Sequence, residues 1–346
     1  MKIFSFLKCR IDECSFIRYN ESMNKDKLVQ MLRITGKYYI QHMSQRDIAA
    51  QEGVSVPTVS RMINRAMESG YVNISIDYSF LSEDELAKEL QKRYGLKDVT
   101  ITPVIISDPD TVLLDTCKAA ALSIQEHLKS GMIIGTAWGR TMKCLASCIG
   151  KMDLEEIKVI QLNGRSAEVA VAKGADAMVN ALITATGGQG YTIPTPAVVD
   201  DAQMADMLRN DSGVKKVLEL AEQCNVAIFS VGIMSRDSIM SKSGFLDHGM
   251  YERLLERGAV GDIASGYFDY NGKIVDQELA ERRISLSLEK IRQIPEKICI
   301  ASGKEKAQVL HGAIQGGFVD YLCADEELGR ALLTVDKNES YFENRK

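Results

Sequence analysis

The chain has 346 residues, of which 45% are hydrophobic and 26% are charged, and its formal net charge is −5. Such a chain buries a sizeable core, and its charge excludes a polycation that coats nucleic acid. No apolar run reaches the roughly 18 residues of a membrane span. The eight cysteines include no Cys-x-x-Cys pair and the four histidines lie far apart, so we expect no metal, no cofactor and a reducing, cytoplasmic setting.

The first 22 residues precede Met23, where helix-like patterning begins. They are either an over-long extension before a natural start at Met23 or a frayed N-terminal arm, and the sequence leaves both open. "MKIFSFLKCRIDECSF" is not a secretory signal, because its apolar run is short and charges follow at once. We divide the chain into an extension over 1–23, a small module over 24–80 and a large domain over 81–346.

The small module is the part of the chain suited to an anionic partner. Residues 24–80 hold seven Lys or Arg against five Asp or Glu, a net of +2, whereas residues 81–346 hold 31 against 39, a net of −8. Its first predicted helix runs from Asp26 to Gln41. The apolar residues that recur there at close to helical spacing are Leu28, Met31, Leu32, Tyr38 and Tyr39.

Two more helices are predicted between residues 44 and 67. Ser44 is a suitable N-cap for the first, and Gly53 ends it, since glycine takes a positive φ most easily. Ser55 caps the second, and Pro57 lies in its first turn. The apolar face of the second helix holds Val56, Val59, Ile63, Ala66 and Met67, and its polar face holds Thr58, Ser60, Arg61, Asn64 and Arg65.

This arrangement predicts a helix-turn-helix whose second helix enters the major groove of DNA. Arg and Asn pair with base edges there, and Ser and Thr bind phosphates or bases. The alternating Val72, Ile74 and Ile76 predict the short strand of a wing. The alternative is a small helical hairpin with a solvated face. The candidate DNA contacts are Ser44, Gln45, Ser55, Thr58, Ser60, Arg61, Asn64 and Arg65.

The large domain alternates strand-like and helix-like segments, which favours an α/β fold with a largely parallel, doubly wound sheet. Ligands of such sheets bind beyond the carboxyl ends of the strands. The predicted strands are 99–106, 132–135, 158–162, 182–186, 226–231, 297–301 and 318–323. The predicted helices are 111–129, 140–150, 166–180, 212–224, 276–290, 304–315 and 325–333.

A glycine-containing turn follows the predicted strand in "MIIGTAWGRTM". Gly135 and Gly139 let the backbone approach a ligand, while Arg140 and Thr141 add a cation and a hydroxyl, a combination that suits a phosphate. The alternative is a packing turn with a surface arginine.

Other strand ends carry glycines in "QLNGRS", "TGGQG", "SVGIM", "GAVGDIASGYFDYNG" and "ASGKEKA". Asp262, in one of these turns, has the oxygens to accept hydrogen bonds from sugar hydroxyls. Lys304 and Lys306 begin a predicted helix, where the helix dipole disfavours a cation unless an anion lies nearby. For one of the two, a solvated lysine is the simpler interpretation.

Over residues 25–335 the chain resembles the SorC family of bacterial sugar-responsive transcriptional regulators. The matching stretches are "GTAWGRTM", "LNGR", "GYTIPTPAVV", "SVGIM", "GAVGDIASGYFDYNG" and "ASGKEKAQVLHGAIQGGFVDYLCADEELGRALL". The resemblance implies a winged helix-turn-helix followed by a Rossmann-like effector domain, similar to sugar-phosphate isomerases such as glucosamine-6-phosphate deaminase and ribose-5-phosphate isomerase. It also implies dimers or tetramers acting on palindromic operators, and we expect a homotetramer.

By position, the resemblance implies a set of effector-binding residues. They are Gly135, Thr136, Trp138, Gly139, Arg140, Thr141, Asn163, Gly164, Gly232, Asp262 and Lys306. Two positions depart from the family pattern: Ser302 precedes Gly303 where a second glycine is usual, and Arg165 stands where a small residue is common. Both departures bear on which effector is bound.

The sequence therefore predicts a DNA-binding transcriptional regulator of a carbohydrate-utilisation operon. Its partners would be double-stranded operator DNA and a phosphorylated sugar or related small effector. The alternative is a sugar-phosphate isomerase or deaminase with an accessory domain, which needs a general base in the pocket. No histidine lies at a glycine-rich strand end, which leaves Asp262 as the only candidate, so we expect no catalytic residue and no enzyme. The effector, the operator sequence and the sign of regulation stay open.

Overall fold

The structure is a computed structural model that describes residues 25–72, 74, 84–165, 176–234, 248–275 and 277–335. The chain divides into two compact units, Met1–Asp77 and Tyr78–Lys346. The extension over 1–23 lies outside the described residues, as does most of the predicted wing strand. The boundaries drawn from the sequence stay predictions. None of the described helices is both long and apolar enough to cross a membrane.

The first unit contains three helices, α1 (Lys25–Tyr39), α2 (Gln45–Glu52) and α3 (Val56–Glu68). The hydroxyl of Ser44 accepts the N–H of Asp47 at the start of α2, and the hydroxyl of Ser55 accepts the N–H of Thr58 at the start of α3. Gly53 ends α2 with φ 66°. The predicted caps and turn of the helix-turn-helix are confirmed.

The core of this unit is small, and two predicted members do not belong to it. Ile34, Ile48, Ala49, Val59 and Ile63 form one buried cluster. Val56 and Met67 are 40% and 39% exposed, because only the middle of α3 packs against the other two helices. Leu32 of α1 is likewise 40% exposed.

A charged clamp joins α1 to α2. The carboxylate of Glu52 lies 2.6 Å from Nη2 of Arg33 and 2.7 Å from Nζ of Lys37, and the Glu52 side chain is almost fully buried. The hydrogen bonds from Arg33 and then from Lys37 lower the pKa of Glu52 to about 2. The clamp therefore holds the two helices together with an ionised carboxylate at any ordinary pH.

The second unit is built on a seven-stranded parallel sheet in the order β1-β10-β9-β5-β2-β3-β4. A separate three-stranded antiparallel sheet has the order β6-β7-β8. The strands are β1 (Asp98–Thr102), β2 (Ile133–Thr136), β3 (Lys158–Gln161), β4 (Gln189–Tyr191), β5 (Val226–Phe229), β6 (Gly232–Ile233), β7 (Ala259–Ile263), β8 (Gly266–Asp269), β9 (Glu296–Ala301) and β10 (Tyr321–Asp325).

Helices cover both faces of the parallel sheet, which confirms the predicted doubly wound α/β class. They are α4 (Asp84–Tyr94), α5 (Pro109–His127), α6 (Arg140–Ala146), α7 (Ala177–Thr186), α8 (Ala202–Asn210), α9 (Ser212–Ala221), α10 (His248–Glu256), α11 (Gln277–Glu281), α12 (Leu288–Gln293), α13 (Ala307–Gln315) and α14 (Glu326–Thr334). Alternate strand residues face opposite cores: Val226 and Ile228 pack under α5, α6 and α7, whereas Ala227 and Phe229 face α9, α13 and α14.

Two predictions for this domain are wrong. Residues 182–186 form the end of helix α7 and not a strand, since the apolar residues Met178, Val179, Leu182 and Ala185 recur at helical spacing. A short apolar run does not distinguish a strand from a buried helix. The single helix predicted over 276–290 is two short helices, α11 and α12, because residues between them form isolated bridges through Arg283 and Ser285.

Candidate functional site

The site lies where the winding of the sheet changes direction. From β2 the chain continues to β3 on one side, and it later returns to β5 on the other side of β2. Ligands of doubly wound sheets bind at such a switch point, beyond the carboxyl ends of the strands. A cavity of about 540 Å³, here called the cleft, lies there. The segments that follow β2, β5, β9 and β10 line it.

The turn from β2 into α6 forms one wall of the cleft. Gly139 immediately precedes α6 with φ 149°, a conformation that side chains rarely adopt. Arg140 opens the helix and is exposed, and its guanidinium donates to the carboxylate of Asp110 at a distance of 2.5 Å. Thr141 follows it with a buried side chain. A ligand that used the guanidinium of Arg140 would compete with Asp110.

Lys306 follows β9 in the chain, and its side chain reaches the turn between β2 and α6. Its ammonium donates to the hydroxyl of Ser230 at 3.2 Å and to that of Thr141 at 3.4 Å. The side chain is half-buried, and burial lowers the pKa of Lys306. Lys304 is exposed, in line with a solvated lysine. Thr141, Ser230 and Lys306, which follow β2, β5 and β9 in the chain, therefore meet at one point of the cleft.

Trp138 is the only tryptophan of the chain, and it lines the cleft. Its indole N–H donates to the carbonyl oxygen of Gly164 at 2.8 Å, which fixes the ring on the end of β3. The tryptophan fluorescence of the protein therefore reports on this cleft.

Asp262 also lines the cleft. Its Oδ2 accepts the N–H of Ser265 at 3.0 Å. Burial raises the pKa of Asp262 to about 6, against the opposing effects of the Ser265 hydrogen bond and the charges of Arg283 and Lys306. A Cβ placed on Gly232 would lie 2.2 Å from Oδ1 of Asp262, so position 232 must be glycine for the carboxylate to stay where it is.

The turn beside Asp262 is a strained hairpin that the sequence did not predict. Ala264 and Ser265 join β7 to β8 with φ 48° and 68°, values that non-glycine residues rarely take. The amide of Asn163 donates to the Ser265 hydroxyl at 3.3 Å, and Arg283 donates to the Ser265 carbonyl at 3.0 Å. The other amide atom of Asn163, Oδ1, is buried and receives no donor from any described residue.

The remaining wall is apolar and was also missed. It comprises Pro109, Val112 and Leu113 of α5 together with Ile233. A local sequence signal marks the start of this wall: the carboxylate of Asp108 accepts the N–H of Thr111 and caps the N-terminus of α5.

Asp325 is a second residue that the sequence analysis missed. Its carboxylate accepts the N–H groups of both Gly303 and Leu328, which fixes the loop before Lys306.

Eight of the eleven residues implied by the resemblance line the cleft, and three do not. A Cβ on Gly135 would lie 2.7 Å from Leu162, so this glycine serves packing of the sheet. Thr136 is buried and its hydroxyl donates to the carbonyl of Ala137. Gly164 permits close approach of residues 195–197 and accepts the Trp138 hydrogen bond.

The helix-turn-helix presents a polar surface on α3. Ser44, Ser55, Arg61, Asn64 and Arg65 are exposed, and Gln45, Thr58 and Ser60 are half-buried. The guanidinium of Arg61 lies 3.4 Å from the Thr58 hydroxyl, which forms a hydrogen bond of 2.8 Å with the Ser55 hydroxyl.

Among the described residues there is no cluster of three His, Cys, Asp or Glu suited to a metal.

Two family models match the chain. The model described as "Putative sugar-binding domain" matches residues 78–334, and one described as "Winged helix-turn-helix DNA-binding" matches residues 41–73. Together with the fold and the cleft, they define a class: DNA-binding transcriptional regulators with a sugar-binding domain.

Named relatives match over about nine tenths of this chain. The deoxyribonucleoside regulator of Bacillus subtilis is 29% identical over 311 residues, which are 90% of this chain and 99% of that protein. The sorbitol operon regulator of Klebsiella pneumoniae is 26% identical over 317 residues, 90% of this chain and 99% of that one. The crystal structure of that full-length regulator, SorC, superposes with a TM-score of 0.69 at 25% identity and covers 90% of this chain and all of that one. The chain belongs to the SorC family of sugar-responsive transcriptional regulators.

Proposed function

We propose that the chain regulates a carbohydrate-utilisation operon by binding operator DNA through α3 and a phosphorylated sugar in the cleft. The observation that carries the proposal is the convergence of the Lys306 ammonium with the hydroxyls of Thr141 and Ser230 at the switch point of the sheet. In the described part of the chain the Lys306 ammonium donates hydrogen bonds only to neutral hydroxyls, and a half-buried cation of this kind is stabilised when an anion joins it.

The phosphate would bind at the Gly139–Thr141 turn. The first N–H groups of a helix have no acceptor within it, and those of α6 belong to a turn that lines the cleft together with Lys306, so a phosphate there would accept from both. Lys306 would then bind the phosphate next to Thr141, while its charge also acts on Asp262 in the same cleft.

The sugar hydroxyls would bind beside Asp262 and Asn163, which line the same cleft. Asp262 accepts from hydroxyls, and the buried Oδ1 of Asn163 offers a further acceptor. Trp138 and the apolar wall of α5 would cover the C–H faces of the sugar, since pyranose and furanose rings expose such faces between their hydroxyls. Two relatives are named a deoxyribonucleoside regulator and a sorbitol operon regulator, and both names fit an effector that carries sugar hydroxyls.

Helix α3 would read the operator. Its exposed Arg61, Asn64 and Arg65 have the donors that pair with base edges, and the capping serines lie where phosphates pass the ends of α2 and α3. We propose a homodimer or homotetramer in the cytoplasm, since two symmetric modules are what a palindromic operator requires.

A thermal-shift screen against pentose and hexose phosphates, each beside its unphosphorylated sugar, tests the cleft. A ligand that binds only the native state raises the melting temperature. We expect one phosphorylated sugar to do so, and Lys306→Met to abolish the shift while ligand-free DNA binding stays intact. Arg140→Ala should weaken the shift less, because Asp110 already engages that guanidinium. Full effector affinity in both variants by calorimetry would place the phosphate elsewhere.

An enzyme is the second candidate, and the raised pKa of Asp262 is the observation that favours it, since a general base works best near neutral pKa. We propose that the chain is not an enzyme, because no histidine lines the cleft among the described residues. Incubation of the protein with the shifting sugar phosphate, followed by NMR, separates the two. Steady turnover that Asp262→Asn abolishes would favour the enzyme.

A further inference from the structure

Helix α1 has two apolar faces, and only one of them belongs to the core. Met31 and Ile34 are buried on the inner face. On the opposite face Val29 and Leu32 are 49% and 40% exposed, and Ile40, which directly follows α1 and donates its N–H to the Gly36 carbonyl, is 80% exposed. With a period of 3.6 residues, positions 29, 32, 36 and 40 lie on one side of a helix. We call this set, Val29, Leu32, Gly36 and Ile40, the α1 stripe.

Gly36 lies at the centre of the stripe. A glycine within a helix costs about 1 kcal/mol relative to alanine, so its presence needs a reason. Within the described unit nothing supplies one, because a Cβ on Gly36 would meet no atom within 4 Å. Its backbone is regular, since its carbonyl accepts the N–H of Ile40 at 2.9 Å. A glycine at an exposed helix face allows another helix to approach closely.

Two side chains of the stripe are placed symmetrically about Gly36. Leu32 lies four residues before it and Ile40 four residues after it. When two antiparallel helices cross at Gly36 on a two-fold axis, each residue meets the one equally far on the other side. Leu32 then meets the partner's Ile40, and Gly36 meets the partner's Gly36. A two-fold interface requires this self-complementary pattern.

The charges beside the stripe permit such a contact. Arg33 and Lys37 follow Leu32 and Gly36 in the chain, and both bind Glu52, so that flank carries a net charge of +1 and not +2. We propose that the α1 stripe docks on the α1 stripe of a second copy of this chain, with the two helices antiparallel and crossing at Gly36.

The contact would be weak by itself. A stripe of three apolar side chains is far smaller than the roughly 1,200 Å² that a specific stable interface buries. It would form when the two modules are already held close, by the rest of the oligomer or by adjacent half-sites of DNA, because tethering raises the effective concentration. Its role would be to set the separation of the two α3 helices.

Disulfide trapping tests the geometry on the full chain. Gly36→Cys is oxidised with copper phenanthroline, with and without DNA, beside the wild type and Gln41→Cys, which is exposed but off the stripe. We expect a cross-linked dimer for Gly36→Cys, located by mass spectrometry between two copies of residue 36. Cross-linking no greater than that of both controls, with and without DNA, would overturn the contact.

A charge exchange tests which residues meet. Leu32→Glu and Ile40→Lys each put one charge against an apolar residue of the partner, whereas the double variant creates two symmetric ion pairs across the axis. Positions 32 and 40 are too far apart on one helix to pair with each other. On DNA that the wild type selects from a random pool, we expect each single variant to lose about tenfold in affinity and the double variant to recover most of it. A double variant no better than the singles would contradict the pairing.

The second experiment rests on the proposed DNA binding, and the first does not. A wild type that selects no DNA sequence would therefore count against the proposed function, while the cross-link at residue 36 would still decide the contact. Melting curves of all variants check that each is folded, which we expect because substitutions at the surface usually change stability little.

Discussion

Asp262 carries the most strongly perturbed carboxylate of the cleft. Burial raises its pKa from 3.8 to about 6 in the ligand-free protein. A carboxyl whose folded-state pKa exceeds its unfolded value destabilises the fold once it ionises. The destabilisation is absent below about pH 4, grows between the two pKa values and is complete above about pH 6.

We therefore predict that Asp262→Asn stabilises the effector domain at pH 7.5 but not at pH 4. Asparagine keeps an oxygen to accept the Ser265 N–H and removes the buried charge. The gain should be about 1–2 kcal/mol after allowance for screening in a cleft that is partly open to solvent. Urea unfolding followed by Trp138 fluorescence measures it, since that signal comes from this domain alone. An equal gain at both pH values would show that charge is not the cause.

Gly232 is a residue whose role follows from a single distance. Its alanine variant would place a methyl 2.2 Å from Oδ1 of Asp262 and push the carboxylate aside. We predict that Gly232→Ala lowers affinity for the effector at least about tenfold, an effect of roughly 1.4 kcal/mol or more, and leaves ligand-free DNA binding unchanged.

Gly150→Ala is the matched control for this substitution. There a Cβ would meet only Gln125, at an ordinary 3.6 Å. Calorimetry of both variants with the sugar phosphate that shifts the melting temperature checks the prediction. Wild-type affinity in Gly232→Ala would show that the position of the Asp262 carboxylate does not matter for binding.

Among the elements, α3 has the clearest expected role. We predict that Arg61→Ala weakens binding to the selected operator and relaxes preference at one base pair by about 1–3 kcal/mol, because a bidentate arginine discriminates by that amount. Lys88→Ala, which removes an exposed cation from α4, is the control for a general loss of charge. Mobility-shift titration checks both, and unchanged affinity in both Arg61→Ala and Arg65→Ala would refute the assigned face.

Elements with local signals were predictable from the sequence, and those without them were not. The caps Ser44 and Ser55 and the turn at Gly53 are chemical signals within a few residues, and all three are observed. The hairpin at Ala264 and Ser265 has no glycine or asparagine to mark its positive φ values, so β6, β7 and β8 were missed. Tertiary bonds from Asn163 and Arg283 hold that turn, and a sequence does not show them.

At the scale of the molecule, the alternation of strands and helices predicted the doubly wound sheet, and several of the strand-end glycines line the cleft. The partners of the site were not predictable, because they come from distant segments. Lys306 meets Thr141 across 165 positions of sequence and Ser230 across 76. The spacing of the apolar residues in α1 also did not show which of them are buried, since Leu32 fits that spacing and is 40% exposed.

The central claim is that one chain couples sugar-phosphate binding in the cleft to DNA binding by α3. Coupling between two binding sites is reciprocal. The most direct measurement is therefore the effector affinity by Trp138 fluorescence with and without saturating operator, beside the operator affinity with and without saturating effector. We predict that both affinities change by the same factor, about 5–150-fold, and that Lys306→Met abolishes both changes. Effector binding that leaves operator affinity unchanged in the wild type would contradict the account.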